Sequence, residues 1–336
     1  MENVINEVQV LLSYNNEWVE RYKKYAEKMK GNMGFFEENR KKFYESRPLH
    51  FYITTTNAKN STNLILDMRY GGQSVATLKA NKENISLYTV GKDENNYRDF
   101  NCEIKLDKNI KWGDTNASKF RSFFKYRDYS RNKTNNNKRN EEHFVEHLLL
   151  TEFSKRNAND KPILGIQPIK FCGIRFGIPT PISASDHKKV TYAYQMGGGI
   201  DILARTGRGK HSTYLTVIEV KDENIKQEPP KEALKQAIQY AVFIRELLRS
   251  EIGKDWYEIF GFKGNIPKNL TIRVACAMPY KDDNDMDKSF EKSIYPIGND
   301  KIECHYIYFQ YDGKKIDNFH TSLTLWNSKY TEAQKK

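Results

Sequence analysis

The sequence has few cysteines and no long apolar run. Its four cysteines, in 336 residues, are far apart and show no Cys-x-x-Cys spacing, which argues against a zinc ribbon or a disulfide framework and indicates reduced thiols. No apolar run approaches the about 20 residues of a membrane span. The N-terminus lacks the basic-then-apolar order of a secretory signal, and no repeat of fixed period occurs. We therefore expect a cytoplasmic protein with no membrane partner.

Positive charge is in excess. The formal net charge is +12 and the sequence pI is about 9.2, which is typical of proteins that bind polyanions. The charge by itself does not choose among DNA, RNA and a membrane surface.

Two apolar runs end in charged side chains. Residues 197–204 form a strand pattern that begins with three glycines and contains Asp201. Residues 214–221 form a second strand pattern that ends in Glu219 and Lys221. Residues 205–210 have turn composition, so we expect a hairpin that brings Asp201 beside Glu219. Because side chains alternate along a strand, Glu219 and Lys221 lie on the same face.

Two adjacent carboxylates repel each other unless a positive charge lies between them. Carboxylate oxygens are hard ligands that favour Mg²⁺ or Mn²⁺ over zinc. A lysine at the same place would neutralise charge that develops on a phosphate. The pattern therefore predicts a metal site for phosphate chemistry, although a solvated strand end gives the same local sequence.

A helix is predicted directly after this hairpin. Pro229 and Pro230 precede an apolar stripe at helical spacing over residues 231–250. Gln236 and Tyr240 are four residues apart and share a face of that helix. A surface glutamine and a boundary tyrosine are the simpler interpretation of the pair taken alone.

The series Asp201, Glu219-x-Lys221 and Gln236-x-x-x-Tyr240 resembles the PD-(D/E)XK nuclease superfamily, in its RecB-like branch with a Gln-x-x-x-Tyr helix motif. The resemblance implies an α/β fold with a restriction-endonuclease-like core of helix, three strands, helix and strand. It covers about residues 140 to 280, and Ile200 stands where the family often has proline. The matching elements are predicted at residues 141–156, 164–177, 193–204, 213–221, 231–249 and 270–278.

The resemblance also implies the metal ligands. Asp201, Glu219 and the backbone carbonyl of Val220 would hold Mg²⁺ or Mn²⁺. The chain would then be a Mg²⁺-dependent nuclease that hydrolyses phosphodiester bonds, in DNA rather than RNA, with a role in restriction, phage defence or repair. A binding protein that keeps the fold without turnover is the alternative from another class.

The remaining roles follow from the same resemblance. Lys221 resembles the catalytic lysine, and Gln236 and Tyr240 resemble the pair that orients the site and the bound phosphate. The family usually adds a glutamate from the first helix. Glu142 and Glu146 both fit, because they lie on one helix face and periodicity does not separate them.

The first helix also carries a rival pattern. His143, Glu146 and His147 match the His-x-x-Glu-His spacing of inverted zinc peptidases, in which two histidines bind zinc and the glutamate acts as base. Glu223 could complete that ligand set. The peptidase interpretation explains neither Asp201 nor Lys221, and two histidines four residues apart are more often a solvated helix edge.

A basic and aromatic segment precedes this helix. Aromatic residues at 120, 123, 124, 126 and 129 alternate with cations that would neutralise phosphates while the rings stack on bases. The alternative is an amphipathic helix over residues 118–129 with its rings packed inward. The candidate nucleic-acid-binding residues are Lys119, Arg121, Lys125, Arg127, Arg131 and Lys133.

The chain is predicted to form two consecutive domains. Residues 131–138 are polar with no apolar side chain, so we place the boundary there, between residues 1–130 and 138–336. The first domain is an α+β accessory module with a helix at residues 16–30 followed by four strands. Recognition of the substrate, contact with a partner protein and formation of a homodimer are all compatible with it. Two C-terminal strands would extend the nuclease sheet.

Overall fold

The computed structural model has a mixed α/β architecture. It describes residues 1–54, 64–80, 84–90, 100, 102–126, 141–156, 162, 164–184, 189–194, 198–209, 212–226, 228–291 and 293–323. In chain order the α-helices of this part of the chain are α1 (Glu2–Tyr14), α2 (Trp18–Gly31), α3 (Met33–Glu45), α4 (Thr115–Lys125), α5 (Glu141–Phe153), α6 (Pro230–Arg249) and α7 (Gly253–Ile259).

The strands fall into two long series and several short pieces. They are β1 (His50–Thr54), β2 (Leu64–Tyr70), β3 (Gln73–Ala80), β4 (Ile85–Tyr88), β5 (Ile110–Lys111), β6 (Ile166–Pro168), β7 (Lys170–Phe171), β8 (Ile174–Pro179), β9 (Ile182–Ser183), β10 (Thr191–Tyr192), β11 (Gly199–Ile200), β12 (Ile202–Gly209), β13 (Ser212–Val220), β14 (Thr271–Pro279), β15 (Ile294–Ile297), β16 (Asp300–Tyr311) and β17 (Ile316–Thr321).

The chain divides into two compact units that interleave in sequence. Unit 1 comprises Met1–Tyr22, Leu148–Ile169 and Ile178–Lys336, and unit 2 comprises Lys23–His147 and Lys170–Gly177. The N-terminal helix belongs to unit 1, where Gln9 Nε2 donates a hydrogen bond of 2.9 Å to Glu246 Oε1 on α6. The compact units therefore do not follow the predicted consecutive ranges 1–130 and 138–336. The predicted boundary at residues 131–138 lies outside the described residues.

Unit 1 is built on a mixed sheet. Its strand order is β15-β16-β14-β13-β12-β6, with β17 paired to β16. β12 is antiparallel to both β6 and β13, whereas β13, β14 and β16 run parallel to one another. The predicted hairpin is confirmed, since Ile202 pairs with Ile218, but the turn predicted at residues 205–210 is wrong, because β12 continues to Gly209, which pairs with Ser212. A parallel pair needs a crossover between its strands, and α6 supplies it between β13 and β14.

Helix α6 covers this sheet. It begins at Pro230, whose fixed φ suits the first helical turn, and contacts β13, β14 and β16. Its apolar face joins an aromatic cluster in which the Tyr22 ring lies 5.0 Å from that of Phe243 and 5.6 Å from that of Trp256. Burial of such large rings supplies much of the driving force for folding, so the core of unit 1 lies between α6 and the sheet.

A buried carboxylate ties α6 to the start of β16. Asp300 accepts hydrogen bonds from Arg245 Nε at 2.8 Å, from Arg249 Nε at 2.9 Å and from the backbone N–H of Leu270 at 2.8 Å. Burial by itself raises the pKa of Asp300, but the bonds from Arg249, Leu270 and Arg245 outweigh it and hold that pKa below its ordinary value.

Unit 2 contains a second sheet. Its strand order is β8-β1-β2-β3-β4-β5, with β7 paired to β8. β1 is antiparallel to β2 and parallel to residues 175–177 of β8. The apolar face of α4 packs here, because Phe124 is fully buried and its ring lies 5.1 Å from that of Tyr70. Unit 2 thus combines helices with a sheet.

Two predicted strands are wrong in their extent. The strand expected at residues 193–204 is divided at Asp201, because β11 pairs with β8 whereas β12 pairs with β13. Residues 164–177 were expected to form a single strand, but they form β6, β7 and the beginning of β8. The interruption falls at Cys172 and Gly173, whose φ angles are +50° and +81°. Such angles reverse the chain and favour glycine, so β7 and β8 form a tight hairpin in unit 2 and only β6 joins the sheet of unit 1.

Within the described ranges, no helix is both long enough and apolar enough to cross a membrane.

Candidate functional site

The end of the β12–β13 hairpin brings Asp201 against the backbone of β13. Asp201 lies at the bend between β11 and β12, and its Oδ2 accepts a hydrogen bond of 2.8 Å from the N–H of Val220. Val220 stands between Glu219 and Lys221 in the sequence. The bond therefore fixes the Asp201 carboxylate beside the pair that the sequence had singled out.

Glu219 and Lys221 are buried and in contact with each other. Glu219 is 2% exposed and Lys221 is 6% exposed. Lys221 Nζ lies 3.2 Å from Glu219 Oε1 and 3.0 Å from Glu228 Oε1. A buried ammonium is strongly disfavoured unless carboxylates compensate it, so this lysine depends on both glutamates.

Glu228 was not predicted from the sequence. It follows a loop and precedes Pro229 and Pro230, with no fixed spacing to the other site residues. A carboxylate just before a helix N-terminus is a common feature, so no local signal marks it as a partner of Lys221. The contact depends on how the loop after β13 returns to α6.

Gln236 and Tyr240 lie together on α6. Gln236 Nε2 donates a hydrogen bond of 3.3 Å to the hydroxyl oxygen of Tyr240, and Tyr240 is 1% exposed. Burial raises the pKa of the Tyr240 phenol, and the charges of Glu219 and Asp201 raise it further, against opposing hydrogen bonds with Gln236 and the backbone of Ala184. The phenol therefore stays protonated and lies within the field of both carboxylates.

Gly198 makes room for the Tyr240 hydroxyl. A Cβ added to Gly198 would lie 2.9 Å from Cζ of Tyr240 and still closer to its hydroxyl oxygen. The backbone N–H of Gly198 donates a hydrogen bond of 2.7 Å to the carbonyl of Ile182, which holds this segment in place. The glycine bend before Asp201 thus serves the close approach of the tyrosine.

The five residues of the predicted series are therefore brought together in unit 1. We call the group formed by Asp201, Glu219, Lys221, Gln236 and Tyr240, with Glu228 added by the structure, the hairpin-end site. Within the described ranges, no cluster of three or more His, Cys, Asp or Glu side chains is arranged to hold a metal ion. The predicted ligand set uses two such side chains and a carbonyl, and it stays a prediction.

The candidate glutamates of the first helix belong to the other unit. Glu142 and Glu146 lie on the part of α5 that is in unit 2. Glu146 lies 3.5 Å from Arg69 Nη1. Burial raises the pKa of Glu146, and the charges of Arg69 and Arg175 oppose that rise. The choice between the two glutamates as members of a nuclease site stays a prediction.

The histidines of the rival pattern also lie in unit 2. The ring centroids of His147 and His50 are 5.0 Å apart. Burial, followed by the charges of Arg175 and Arg69, lowers the pKa of His147 to about 3. Two guanidinium groups beside this ring disfavour a zinc ion there, because like charges in a buried site repel strongly.

The basic and aromatic segment is described only in part. Lys119, Arg121 and Lys125 lie on α4, whereas Arg127, Arg131 and Lys133 lie outside the described residues. Of the two interpretations of the rings, inward packing of an amphipathic helix is confirmed for two of them. Those at positions 120 and 124 are 2% and 0% exposed, because the helix packs them inward.

Arg121 has a local partner. Its guanidinium lies 4.0 Å from the centroid of the Trp112 ring, and Nη1 donates a hydrogen bond of 3.0 Å to the Trp112 carbonyl. Burial lowers its pKa. Arg121 therefore connects α4 to Trp112, which lies just before its first residue. Binding of nucleic acid by this helix stays a prediction.

No family model, no curated protein and no solved structure matches this chain significantly.

Proposed function

We propose that this protein is a metal-dependent nuclease that hydrolyses phosphodiester bonds, with DNA as its expected substrate and Mg²⁺ or Mn²⁺ as its metal. The observation that carries the proposal is the hydrogen bond of 2.8 Å from the N–H of Val220 to Asp201. This bond places the Asp201 carboxylate beside Glu219 and Lys221, the neighbours of Val220. Two carboxylates and a lysine at one place are a combination suited to phosphoryl chemistry.

The order of elements supports the proposal. In the sheet of unit 1, β6, β12, β13 and β14 are neighbours in chain order, with the short strands β7 to β11 inserted between β6 and β12 in the sequence. Helix α5 precedes β6 and α6 lies between β13 and β14, and this order supports a restriction-endonuclease-like core as part of the proposal. The function itself is argued from the hairpin-end site, because one fold supports many activities.

The donor set suits a hard divalent ion. Asp201, Glu219 and the carbonyl of Val220 offer oxygen ligands only, and both carboxylates are close enough to raise the pKa of Tyr240. These three groups would hold the ion, which when bound would activate a water molecule and stabilise charge on a phosphoryl oxygen.

The other residues act through charge and position. Lys221 carries the positive charge between Glu219 and Glu228, and it can neutralise charge on a scissile phosphate that approaches the site. Tyr240 keeps its proton and can donate it in a hydrogen bond to a phosphate oxygen. Gln236 holds the tyrosine hydroxyl in orientation.

The test is incubation of the purified protein with single-stranded and duplex DNA and RNA, with and without Mg²⁺ or Mn²⁺. We expect metal-dependent cleavage that Asp201→Asn and Glu219→Gln abolish, whereas both variants keep nucleic-acid affinity because lysines and arginines supply it. Glu251→Gln is the matched control, since Glu251 is an exposed carboxylate of the same unit. Cleavage by either site variant within about tenfold of the wild type would contradict the proposal.

The same preparation tests the two alternatives. A zinc peptidase needs both imidazoles as ligands, so stoichiometric zinc that disappears in the double variant His143→Ala and His147→Ala would favour it. Survival of Mg²⁺-dependent cleavage in that variant, with no zinc in elemental analysis, would eliminate the peptidase. Binding of nucleic acid with no cleavage of any substrate would favour the inactive binding protein.

A further inference from the structure

One face of the sheet in unit 2 carries a row of polar side chains. Tyr52 on β1 stands opposite Arg175 on β8 and opposite Asp67 on β2, and His50 stands opposite Arg69. Residues opposite each other in a ladder point to the same face, so these five side chains form one patch. The intervening β1 residues 51 and 53 are buried and apolar, as expected for the other face.

Direct contacts hold this patch together. Arg175 Nη1 donates a hydrogen bond of 2.6 Å to the hydroxyl oxygen of Tyr52. The guanidinium of Arg69 lies 4.3 Å from the centroid of the Tyr52 ring, and its Nε lies 2.7 Å from Asp67 Oδ2. Tyr52 is thus in contact with two arginines at once.

Helix α5 adds two more side chains to the patch. Glu146 lies 3.5 Å from Arg69, and the rings of His147 and His50 are 5.0 Å apart. Burial, followed by the charge of Arg175, lowers the pKa of His50 to about 2 and that of His147 to about 3. We call the group of Tyr52, Arg69, Arg175, His50 and His147, together with the carboxylates of Asp67 and Glu146, the arginine–tyrosine patch.

The patch has more hydrogen-bond donors than acceptors. Asp67 and Glu146 lie against Arg69, and the charge of Arg175 also acts on Glu146. Arg175 is 8% exposed, and within the described residues its guanidinium donates a single hydrogen bond, to Tyr52. A guanidinium has five N–H donors and no acceptor.

The Tyr52 hydroxyl adds one more hydrogen-bond donor to the patch. It uses its oxygen to accept from Arg175, and Tyr52 is 4% exposed. Its own proton is thereby left to donate, and no described residue accepts it. A buried donor that lacks an acceptor costs about 1–3 kcal/mol, so a ligand that brings several acceptors and negative charge would be stabilised here.

We propose that the arginine–tyrosine patch binds the phosphate group of a phosphate monoester. A phosphate offers three terminal oxygens and about two negative charges, so it can accept from the N–H groups of Arg175 that do not bond to Tyr52 and from the Tyr52 hydroxyl. A carboxylate has two oxygens and one negative charge, so it would match these donors less completely. The proposal does not depend on the nuclease assignment, because none of these residues belongs to the hairpin-end site.

Binding is measured by calorimetry in EDTA, so that no metal-dependent cleavage interferes. The probes are inorganic phosphate, a nucleoside 5′-monophosphate, and one oligonucleotide with either a 5′-phosphate or a 5′-hydroxyl. We expect the wild type to bind the phosphorylated probes, Arg175→Gln to lose at least about tenfold in affinity, and Tyr52→Phe to lose about threefold or more. Lys111→Gln, which removes an exposed charge from β5 of the same sheet, should bind like the wild type.

Each outcome of these measurements either assigns the ligand class of the patch or overturns the proposal. A preference for the 5′-phosphate oligonucleotide over the 5′-hydroxyl one assigns the patch to strand ends, and equal binding of the monophosphate and inorganic phosphate assigns it to small ligands. If Arg175→Gln does not fold, Tyr52→Phe decides, because it keeps the ring under Arg69 and removes only the hydroxyl. Absence of phosphate binding by the wild type would overturn the proposal, and so would equal affinities of Tyr52→Phe and Lys111→Gln.

Discussion

Replacement of Gly198 by alanine tests the close approach of Tyr240 to the glycine bend. The new Cβ would lie 2.9 Å from Cζ of Tyr240, a distance at which one of the two must move. Tyr240 is 1% exposed and its ring is rigid, so it has no free volume into which it can swing. We expect the strain to separate Tyr240 from the segment before Asp201.

The magnitude follows from two opposing effects. Overpacking of a buried contact costs about 1–3 kcal/mol. Gly198 does not lie in the left-handed region of φ, so alanine can adopt its backbone conformation. Alanine also restricts the unfolded chain, which stabilises the folded state by about 0.4–1 kcal/mol. The overpacking is the larger effect, and the free energy of unfolding should fall by about 1–2 kcal/mol.

Urea unfolding followed by tryptophan fluorescence measures this change. In a Trp112→Phe background the remaining tryptophans of the described residues, Trp18 and Trp256, both lie in unit 1, so their signal reports on that unit. Gly199→Ala is the matched control, because a Cβ on this neighbouring glycine meets no atom within 4 Å. It should change the free energy of unfolding by no more than about 0.5 kcal/mol.

A double variant isolates the contact. Tyr240→Phe should cost about 1 kcal/mol by itself, through the lost hydrogen bonds of its hydroxyl. Combined with Gly198→Ala it should cost less than the sum, by about 1 kcal/mol, because the nearest atom has been removed. Equal stability of Gly198→Ala and Gly199→Ala, or strict additivity of the double variant, would refute the reasoning.

Three further predictions address other parts of the molecule. Under the proposed function Lys221→Met should keep metal binding in a calorimetric titration but turn over at least about 100-fold more slowly, whereas the exposed Lys254→Met should match the wild type; loss of metal binding would make the lysine structural. Phe124→Ala should lower the free energy of unfolding by about 3–5 kcal/mol, and Tyr126→Ala, at a side chain that is 85% exposed, should change it little; equal effects would contradict the inward packing of α4. Asp300→Asn should cost about 2–3 kcal/mol at pH 7. Because the folded pKa of Asp300 is lowered, its contribution is complete above the unfolded pKa of about 3.9 and is lost as the pH falls through the folded value. The difference between Asp300→Asn and the wild type should therefore shrink as the pH falls below about 4 in urea titrations, and a constant difference would show that the carboxylate is not responsible.

Local sequence patterns determined the elements of the hairpin-end site. Alternation along residues 214–221 predicted a strand with Glu219 and Lys221 on one face, and β13 covers that run. The two prolines before residue 231 predicted the start of a helix, and α6 begins at Pro230. These features are determined by side-chain period and by the fixed φ of proline, which act over a few residues and can be read without the rest of the chain.

Only the tertiary structure decided which elements meet. Residues 164–177 have strand composition throughout, yet the turn at Gly173 sends β8 into the sheet of unit 2 while β6 joins unit 1. The bond between Arg175 and Tyr52 joins residues 123 positions apart, and the one between Gln9 and Glu246 joins residues 237 apart. A local pattern specifies which face of an element is apolar, but its partner is selected by the packing of all elements together, because the gain from burial depends on what covers that face.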